Sequence, residues 1–471
     1  MTASNMRRER DSMGELEVPA DAYYGANTQR ARLNFPISDL RFSRSFIRAI
    51  GQVKQSAAVV NKDLGVLDPK LADAIIDAAQ KVIDGKYDDQ FVVDIFQTGS
   101  GTSTNMNTNE VISNVANEAL GGGLGTRQPV HPNDHVNKGQ SSNDVIPTSI
   151  HLAAAVAIKD ELLPAMEELE QALREKSEEF WSVIKTGRTH LQDATPIRLG
   201  QEFLGYAGQV ELGRKRVEKA LAELSVLALG GTAVGTGVGM HQQFASAVIA
   251  RLRELTGLDL GETSNHFQAQ STLDAVVEAS GSLKTVAVSL LKIGNDVRWL
   301  GSGPRAGIGE IMLPEVQPGS SIMPGKVNPV IAESLTMVSA QVIGNDSTIT
   351  IAGQSGNFEL NVMMPVAAYN LLQSIDLLTA ACRNFARQCV TGLEATTKGP
   401  EMVEQGLAIC TALAPIIGYD AAASIAHKAA ETGETIKQVA LRETDLSSEE
   451  LDRVLDPSTM TEPSADISAG G

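Results

Sequence analysis

The segment from Pro318 to Pro329 has the composition of a loop that binds a ligand or closes over one. Its three prolines and two glycines exclude a regular helix, so the chain must run through it as a long loop. The segment carries two hydroxyls, one cation and one amide, on Ser320, Ser321, Lys326 and Asn328. A surface loop without a role would not need Ile322 and Met323 in its middle, so a functional interpretation is favoured.

Two further polar segments lie upstream, and helical packing does not fully explain either. Thr98–Asn107 places hydroxyls and glycines just before a helical stretch, where backbone N–H groups favour anions. No Gly-Lys-Ser/Thr follows, so it is not a Walker A loop, and taken alone a capped turn is the simpler interpretation. In His131–Asp144, helix capping explains Asn143 or Asp144 but not the dense set of hydrogen-bonding groups around them.

A fourth polar segment, Gly187–Pro196, contains His190, whose imidazole can titrate near neutral pH. A single histidine is more often structural than catalytic, and the neighbouring Arg188 and Thr189 raise the odds of a catalytic role only modestly. The glycine clusters Gly230–Gly239 and Gly301–Gly309 lack a dinucleotide fingerprint and are predicted to terminate helices, although either could line a cavity.

Long amphipathic helices are predicted to position these segments. Apolar residues recur at helical spacing in three stripes: Leu162, Met166, Leu169 and Leu173; Val210, Val217, Leu221 and Leu224; Val276, Leu283, Leu290 and Val297. Two more long segments begin after Pro329 and Pro365, and Pro164 is expected to bend the first helix. The pattern predicts a bundle of near-parallel helices. Because stripes this extensive exceed what one chain is expected to bury, we predict packing across subunits.

Length and pattern together divide the chain of 471 residues into three predicted domains. They are a mixed, mostly helical domain (1–140), a central long-helix bundle (141–397) and a small helical domain (398–471). Within the first, helical patterns run near 44–63 and 69–84. Within the last, the tail from Pro457 is rich in Ser, Thr and Gly and is expected to be poorly ordered.

Composition excludes several function classes. A net charge of −18 repels phosphate backbones and anionic lipid, so nucleic acid and membranes are poor candidates as partners. The three cysteines are odd in number and have no zinc or iron–sulfur spacing: Cys382, Cys389 and Cys410. No run is apolar enough to cross a membrane, and the N-terminus resembles neither a secretory signal nor a transit peptide. A cytoplasmic enzyme is the simplest interpretation.

The four polar segments, in this order, resemble those of the fumarase/aspartase superfamily. The most specific motif is Gly-Ser-Ser-Ile-Met-Pro-Gly-Lys-Val-Asn-Pro at 319–329, and the resemblance runs from about Asp11 to the end of the chain. Gly-Arg-Thr-His-Leu-Gln-Asp-Ala-Thr-Pro at 187–196 looks like the class II fumarase form, since ammonia-lyases typically carry glutamine at the position of His190. Val330–Glu333 is closer to the ammonia-lyase version, and Gly139 replaces the serine usual in both.

The resemblance implies a mainly α fold of three domains, with a central five-helix bundle that forms a twenty-helix core in a homotetramer. It implies hydration of fumarate to L-malate in the tricarboxylic acid cycle, through a stabilised carbanion, in active sites shared between three chains. Ser320 is the implied base, and His190, paired with Glu333, handles the water. Substrate binding is implied for Ser100, Gly101, Thr102, Ser141, Ser142, Asn143, Thr189, Ser321, Lys326, Val327 and Asn328.

Three alternatives stay open. The segment of His131, Pro132, Asn133 and Asp134 resembles a second, peripheral dicarboxylate site of the superfamily, but a structural turn is an equal interpretation there. Aspartate ammonia-lyase is the competing activity within the superfamily. A non-catalytic scaffold, or a metabolite-binding regulator without turnover, is the alternative from a different class.

Overall fold

The computed structural model describes residues 6–463 and is built mainly of α-helices. The described chain forms two compact units, each assembled from three separate stretches. Unit 1 comprises residues 6–164, 213–287 and 339–379, and unit 2 comprises residues 165–212, 288–338 and 380–463. The domain boundaries predicted at residues 140 and 397 stay a prediction.

Two antiparallel strands and four helices open unit 1. Strands β1 (Met6–Asp11) and β2 (Gly14–Pro19) pair along their whole length. The helices are α1 (Ala26–Asn34), α2 (Arg44–Asp63), α3 (Pro69–Ile83) and α4 (Thr102–Ala119), so the predicted helical patterns at 44–63 and 69–84 are confirmed. Apolar side chains of α2, α3 and α4 share one buried core that includes Ile47, Ile75 and Val111.

Eight further helices follow up to residue 388. They are α5 (Ser142–Ala157), α6 (Leu163–Glu179), α7 (Leu199–Leu224), α8 (Phe244–Thr256), α9 (His266–Ser271), α10 (Asp274–Leu300), α11 (Val330–Gly353) and α12 (Met364–Gln388). Helices α7, α10, α11 and α12 run for 24 to 27 residues each, which agrees with the predicted long segments.

Helices α5 and α6 are joined by a short π-helical segment, Ile158–Leu162, rather than by a loop. Pro164 lies just after this segment and has no N–H to donate to the preceding turn. A π segment changes the hydrogen-bond spacing by one residue and so accommodates the missing donor without ending the helical course. Where the sequence predicted a bend at Pro164, the structure therefore has a π-helical segment just before it.

The predicted apolar stripes are buried within a single chain. Leu162, Leu173, Val276 and Val297 are all fully buried, as are most other stripe residues. The argument that one chain cannot bury these stripes is therefore wrong. The same helices do leave other large apolar side chains exposed: Leu212, Val288, Trp299, Met337 and Ile351.

The remaining strands are short. Strands β3 (Ile184–Thr189) and β4 (Gln192–Arg198) form an antiparallel ribbon in unit 2. The other strands have two residues each: β5 (Val226–Leu227), β6 (Gly261–Glu262), β7 (Ile311–Met312), β8 (Gly356–Asn357), β9 (Leu360–Asn361) and β10 (Glu394–Ala395). No sheet among the described residues exceeds two strands, so the mainly α fold class is confirmed.

The C-terminal part of unit 2 is helical, as predicted. It contains α13 (Lys398–Val403), α14 (Ala414–Ile417), α15 (Tyr419–Thr432), α16 (Ile436–Glu443) and α17 (Ser448–Val454). Apolar side chains of α14 to α17 share one core. Pro457–Met460 form a 3₁₀ helix where an unstructured tail was expected, and the rest of that expectation falls on 464–471, outside the described residues. Of the helices described, none has the length and hydropathy needed to span a bilayer.

Candidate active site

Hydroxyl groups from two of the predicted segments meet in unit 1. Ser100 Oγ lies 2.8 Å from Thr102 Oγ1, which in turn lies 2.7 Å from Ser142 Oγ. Ser142 also donates to Asn143 Oδ1 at 3.4 Å. The structure therefore brings the Thr98–Asn107 segment and the start of α5 together through their side chains, as a common substrate site requires.

Both helices that carry these hydroxyls begin at this point. Helix α4 begins at Thr102, directly after Gly101, which has a left-handed φ of +70°. A Cβ atom at Gly101 would lie 2.9 Å from the side chain of Ile146, so the position requires glycine for space as well as for conformation. The first N–H groups of a helix are partly positive, and two helix starts at one place favour a bound anion such as a carboxylate.

Asp144 fixes the start of α5 from inside the protein. Its Oδ1 atom accepts the N–H of Ser141 at 2.9 Å and so completes a capping box. Its Oδ2 atom accepts the N–H groups of Gly230 and Thr232, each at 3.0 Å. Complete burial raises the pKa of Asp144, although these three backbone N–H donors oppose that effect.

The glycine-rich stretch 230–239 was predicted to terminate a helix, and that prediction is wrong. Helix α7 already ends at Leu224, and residues 230–239 form an irregular loop. Besides holding Asp144, the loop accepts the side-chain N–H of Asn143 at the carbonyl of Ala233, at 2.8 Å. The sequence signal that could have identified it is the run of glycines itself, which permits close backbone approach.

His190 lies at the tip of the β3–β4 ribbon in unit 2. Thr189 pairs with Gln192, so His190 and Leu191 form a two-residue hairpin turn, with φ values of +58° and +59°. Positive φ at both positions defines a type I′ turn, which usually contains Asn-Gly. Two non-glycine residues in this conformation cost about 1 kcal/mol each, so the rest of the ribbon must hold the turn in place.

A buried ion cluster lies at the base of the same ribbon. Lys185 Nζ lies 2.8 Å from Glu202 and 3.0 Å from Glu310, and Arg188 donates to Glu310 at 2.7 Å. Lys185 and Glu310 are almost fully buried, and desolvation raises the pKa of Glu202. The hydrogen bond to Glu310 raises the pKa of Arg188. The cluster ties β3 to α7 and to the segment before β7, two residues from His190.

Ser320 occupies a loop closed by its own backbone in unit 2. Its Oγ atom accepts the N–H groups of Ile322 at 3.2 Å and Met323 at 2.9 Å. Two N–H donors aimed at one hydroxyl oxygen stabilise negative charge on that oxygen. The loop closes where the N–H of Gly319 donates to the carbonyl of Lys326 at 2.9 Å, and it borders an open hollow of about 440 Å³.

The other predicted residues of this segment are spread along the loop and into α11. Asn328 donates to the carbonyl of Gly319 at 2.5 Å, so its side chain braces the loop. Lys326 and Ser321 are exposed, and within residues 6–463 the Lys326 ammonium has no ion-pair partner. Val327 is half-buried, and Glu333 lies in the first turn of α11. Within the described part of one chain, no hydrogen bond or ion pair joins Glu333 to His190.

The turn at His131–Asp134 has a clear structural role. His131 Nδ1 accepts the N–H groups of Asn133 at 3.2 Å and Asp134 at 3.1 Å, and thereby caps the π segment Pro132–Val136. His135 Nδ1 accepts the N–H of His131 at 2.8 Å, and burial lowers the pKa of His135. The contacts therefore favour the structural interpretation, while the second dicarboxylate site stays a prediction.

Comparison with known proteins identifies the family. A lyase family model matches residues 14–344, and a model of the fumarase C C-terminus matches residues 409–462. The chain is 53% identical to a class II fumarate hydratase of Methylorubrum extorquens, over 98% of each chain. It is 52% identical to a mitochondrial fumarate hydratase of Danio rerio, over 97% of this chain and 90% of that one.

The fold agrees with the sequence relatives. A class II fumarase from Schistosoma mansoni superposes with a TM-score of 0.94 at 39% identity, over 97% of this chain and 99% of that one. In the described residues no cluster of His, Cys, Asp or Glu has the arrangement of a metal site. The chain belongs to the class II fumarase family of the fumarase/aspartase superfamily.

Proposed function

We propose that this protein is a fumarate hydratase that adds water to fumarate to form L-malate and catalyses the reverse reaction. The observation that carries the proposal is identity above 50% to class II fumarate hydratases over nearly the whole chain. The geometry around Ser100, Thr102 and Ser142 supports it, because two helix starts joined by a row of hydroxyls suit a dicarboxylate.

Ser320 acts as the base that removes the C3 proton of malate. A serine hydroxyl is a weak base at its ordinary pKa and must be activated as an alkoxide. The N–H groups of Ile322 and Met323 support this role because they donate to the Oγ atom that would bear the negative charge. Lys326, free of ion pairs within the described chain, would add positive charge beside the dianionic intermediate.

His190 acts at C2, where the C–O bond of malate breaks and the leaving hydroxide takes up a proton to become water. Its exposed position at a hairpin tip suits this role, since nothing in the described part of its own chain bonds the imidazole. Glu333 would hold His190 in the protonated state. Because no hydrogen bond or ion pair joins the two within residues 6–463 of one chain, we propose that they pair between copies of the chain.

We further propose, as the family resemblance implies, that the active site is assembled from three chains of a homotetramer. The predicted residues fall into sets on different segments: Ser100–Thr102 with Ser141–Asn143, then Thr189 with His190, and then the Ser320 loop. The exposed apolar side chains on α7, α10 and α11 support an oligomer, because large exposed apolar surface usually marks an interface. No metal takes part in the proposed reaction, and the free cysteines suit a cytoplasmic location.

Mixing two inactive variants tests the shared site directly. His190→Asn and Ser320→Ala would each be inactive alone. If His190 and Ser320 of one site come from different chains, random reassembly of a mixture leaves about a quarter of sites with both wild-type residues. Regain of about that fraction of activity after joint unfolding and refolding supports the proposal. No regain, with tetramers reformed, contradicts it.

A further inference from the structure

Lys54 of helix α2 is a fully buried lysine that the proposed chemistry does not use. Its ammonium donates to Asn137 Oδ1 at 2.9 Å and to Gln140 Oε1 at 3.0 Å. Within residues 6–463 no carboxylate lies at ion-pair distance from it. Burying an ammonium without a direct counter-ion is unfavourable, and an apolar side chain would serve stability as well or better. A role other than stability is therefore needed to explain the residue.

Both acceptors belong to the loop that leads into α5. Asn137 Oδ1 also accepts the side-chain N–H groups of Asn105 at 3.2 Å and Asn109 at 3.1 Å, both from α4. The Asn137 amide donates to the carbonyl of Gln140 at 3.0 Å. Lys54 thus joins α2, α4 and the loop at residues 137–140 through one amide oxygen.

The bonded loop continues without interruption into the substrate residues. Gln140 immediately precedes Ser141, and the capping box places Ser142 and Asn143 in the first turn of α5. Asp144 fixes that turn on its inner side and, as the nearest opposite charge, attracts the Lys54 ammonium. Burial nevertheless lowers the pKa of Lys54 to about 7. Lys54 holds the approach to the turn, and Asp144 holds the turn itself.

We propose that Lys54 is a positioning residue for substrate binding, which holds the loop at residues 137–140 so that Ser142 and Asn143 meet Thr102 in the binding geometry. This rests on the proposed function of the same site. Because Lys54 acts through the loop and not on the reacting atoms, its loss should weaken substrate binding more than it slows the chemical steps.

Lys54→Met tests the proposal, since methionine keeps the length of the side chain and removes its donors. Asn137 Oδ1 would keep two amide donors, and the half-buried Gln140 could bond water, so the variant leaves no buried oxygen without a partner. We expect KM for fumarate to rise about tenfold, as for one lost charged hydrogen bond, with kcat changed less than about threefold. The melting temperature should not fall.

Lys62→Met is the matched control. Lys62 lies two turns further along α2 and forms an exposed ion pair with Asp73, so its loss should change neither KM nor kcat. If Lys54→Met does not fold, Gln140→Ala decides in its place, and a rise in KM of about threefold supports the proposal. A folded variant with unchanged KM overturns it. So does a fall in melting temperature with KM unaffected, because that result marks a purely structural lysine.

Calorimetric titration with L-malate separates this inference from the proposed function. Wild-type protein that binds malate without turning it over would refute the hydratase proposal alone. Weaker malate binding by Lys54→Met in that case would still support the positioning role. Equal binding by wild type and variant would overturn it.

Discussion

Removing the charge of Glu310 is the most informative single perturbation of the His190 ribbon. Glu310 is only 3% exposed and faces two cations, Lys185 at 3.0 Å and Arg188 at 2.7 Å. In Glu310→Gln, Lys185 would keep its ion pair with Glu202, whereas Arg188 would lose its ion pair. Removing one partner of a buried ion pair lowers the free energy of unfolding by about 3–5 kcal/mol. Because Arg188 is partly exposed to water, we expect a loss near the lower end of that range.

The same variant should lose activity for a geometric reason. The left-handed turn at His190 and Leu191 is unfavourable by itself and depends on the ribbon for its shape. A shift of about 1 Å in a catalytic group can cost about 10²-fold in rate. We therefore expect kcat to fall by about that factor while KM changes little, measured in steady state at a temperature where the variant is folded.

Two controls separate the buried cluster from a general effect of charge. Glu443→Gln removes a carboxylate that pairs with Lys428 on the surface, and it should leave stability and kcat unchanged. Adding Lys185→Met to Glu310→Gln removes one unbalanced cation, and it should recover part of the lost stability in urea unfolding. Wild-type stability and kcat in Glu310→Gln alone would refute the view that the cluster holds the ribbon.

Further predictions concern the reacting groups and one buried lysine. Ser320→Ala and His190→Asn should each lower kcat by orders of magnitude with the circular dichroism spectrum unchanged, and near-normal turnover in either would remove that residue from the mechanism. Lys326→Ala should lower kcat about 10²–10³-fold, as loss of one charge-stabilising donor does, and an unchanged kcat would count against its role. The pKa of Lys54, lowered to about 7 by burial, means that the unfolded chain binds more protons than the folded one from about pH 7 up to 10.5. Wild-type stability should therefore rise with pH across that window relative to Lys54→Met. Parallel stability curves for the two proteins would show that Lys54 does not titrate there. Asp144, whose own pKa is raised by burial, is the charged group that attracts Lys54, and it is present in both proteins.

The sequence predicted the helices well because their signal is local. Stripes such as Leu162, Met166, Leu169 and Leu173 repeat at helical spacing, and all four are buried. The inference from these stripes to an oligomer used the wrong residues. Periodicity shows which face of a helix is buried, but it does not show whether the same chain or another copy buries it.

The features that position the site were not predictable, because they depend on contacts between distant segments. Glu310 meets Lys185 and Arg188 only in the folded chain, and no local pattern marks it as their partner. The type I′ turn at His190 and Leu191 lacks the Asn-Gly that usually signals such a turn. Lys54 lies in helix α2, whose buried residues are spread over most of its faces. The sequence of α2 therefore does not show whether a lysine at this position is buried or exposed.

The most direct test of the central proposal is the ultraviolet absorbance of purified protein supplied with L-malate, with and without chelator, beside a sample supplied with L-aspartate. Fumarate absorbs through its conjugated double bond, whereas malate and aspartate do not. The proposed function predicts a rise with malate alone that the chelator does not change. A rise with aspartate alone would contradict it in favour of an ammonia-lyase, and no rise with either would favour a protein of this fold without turnover.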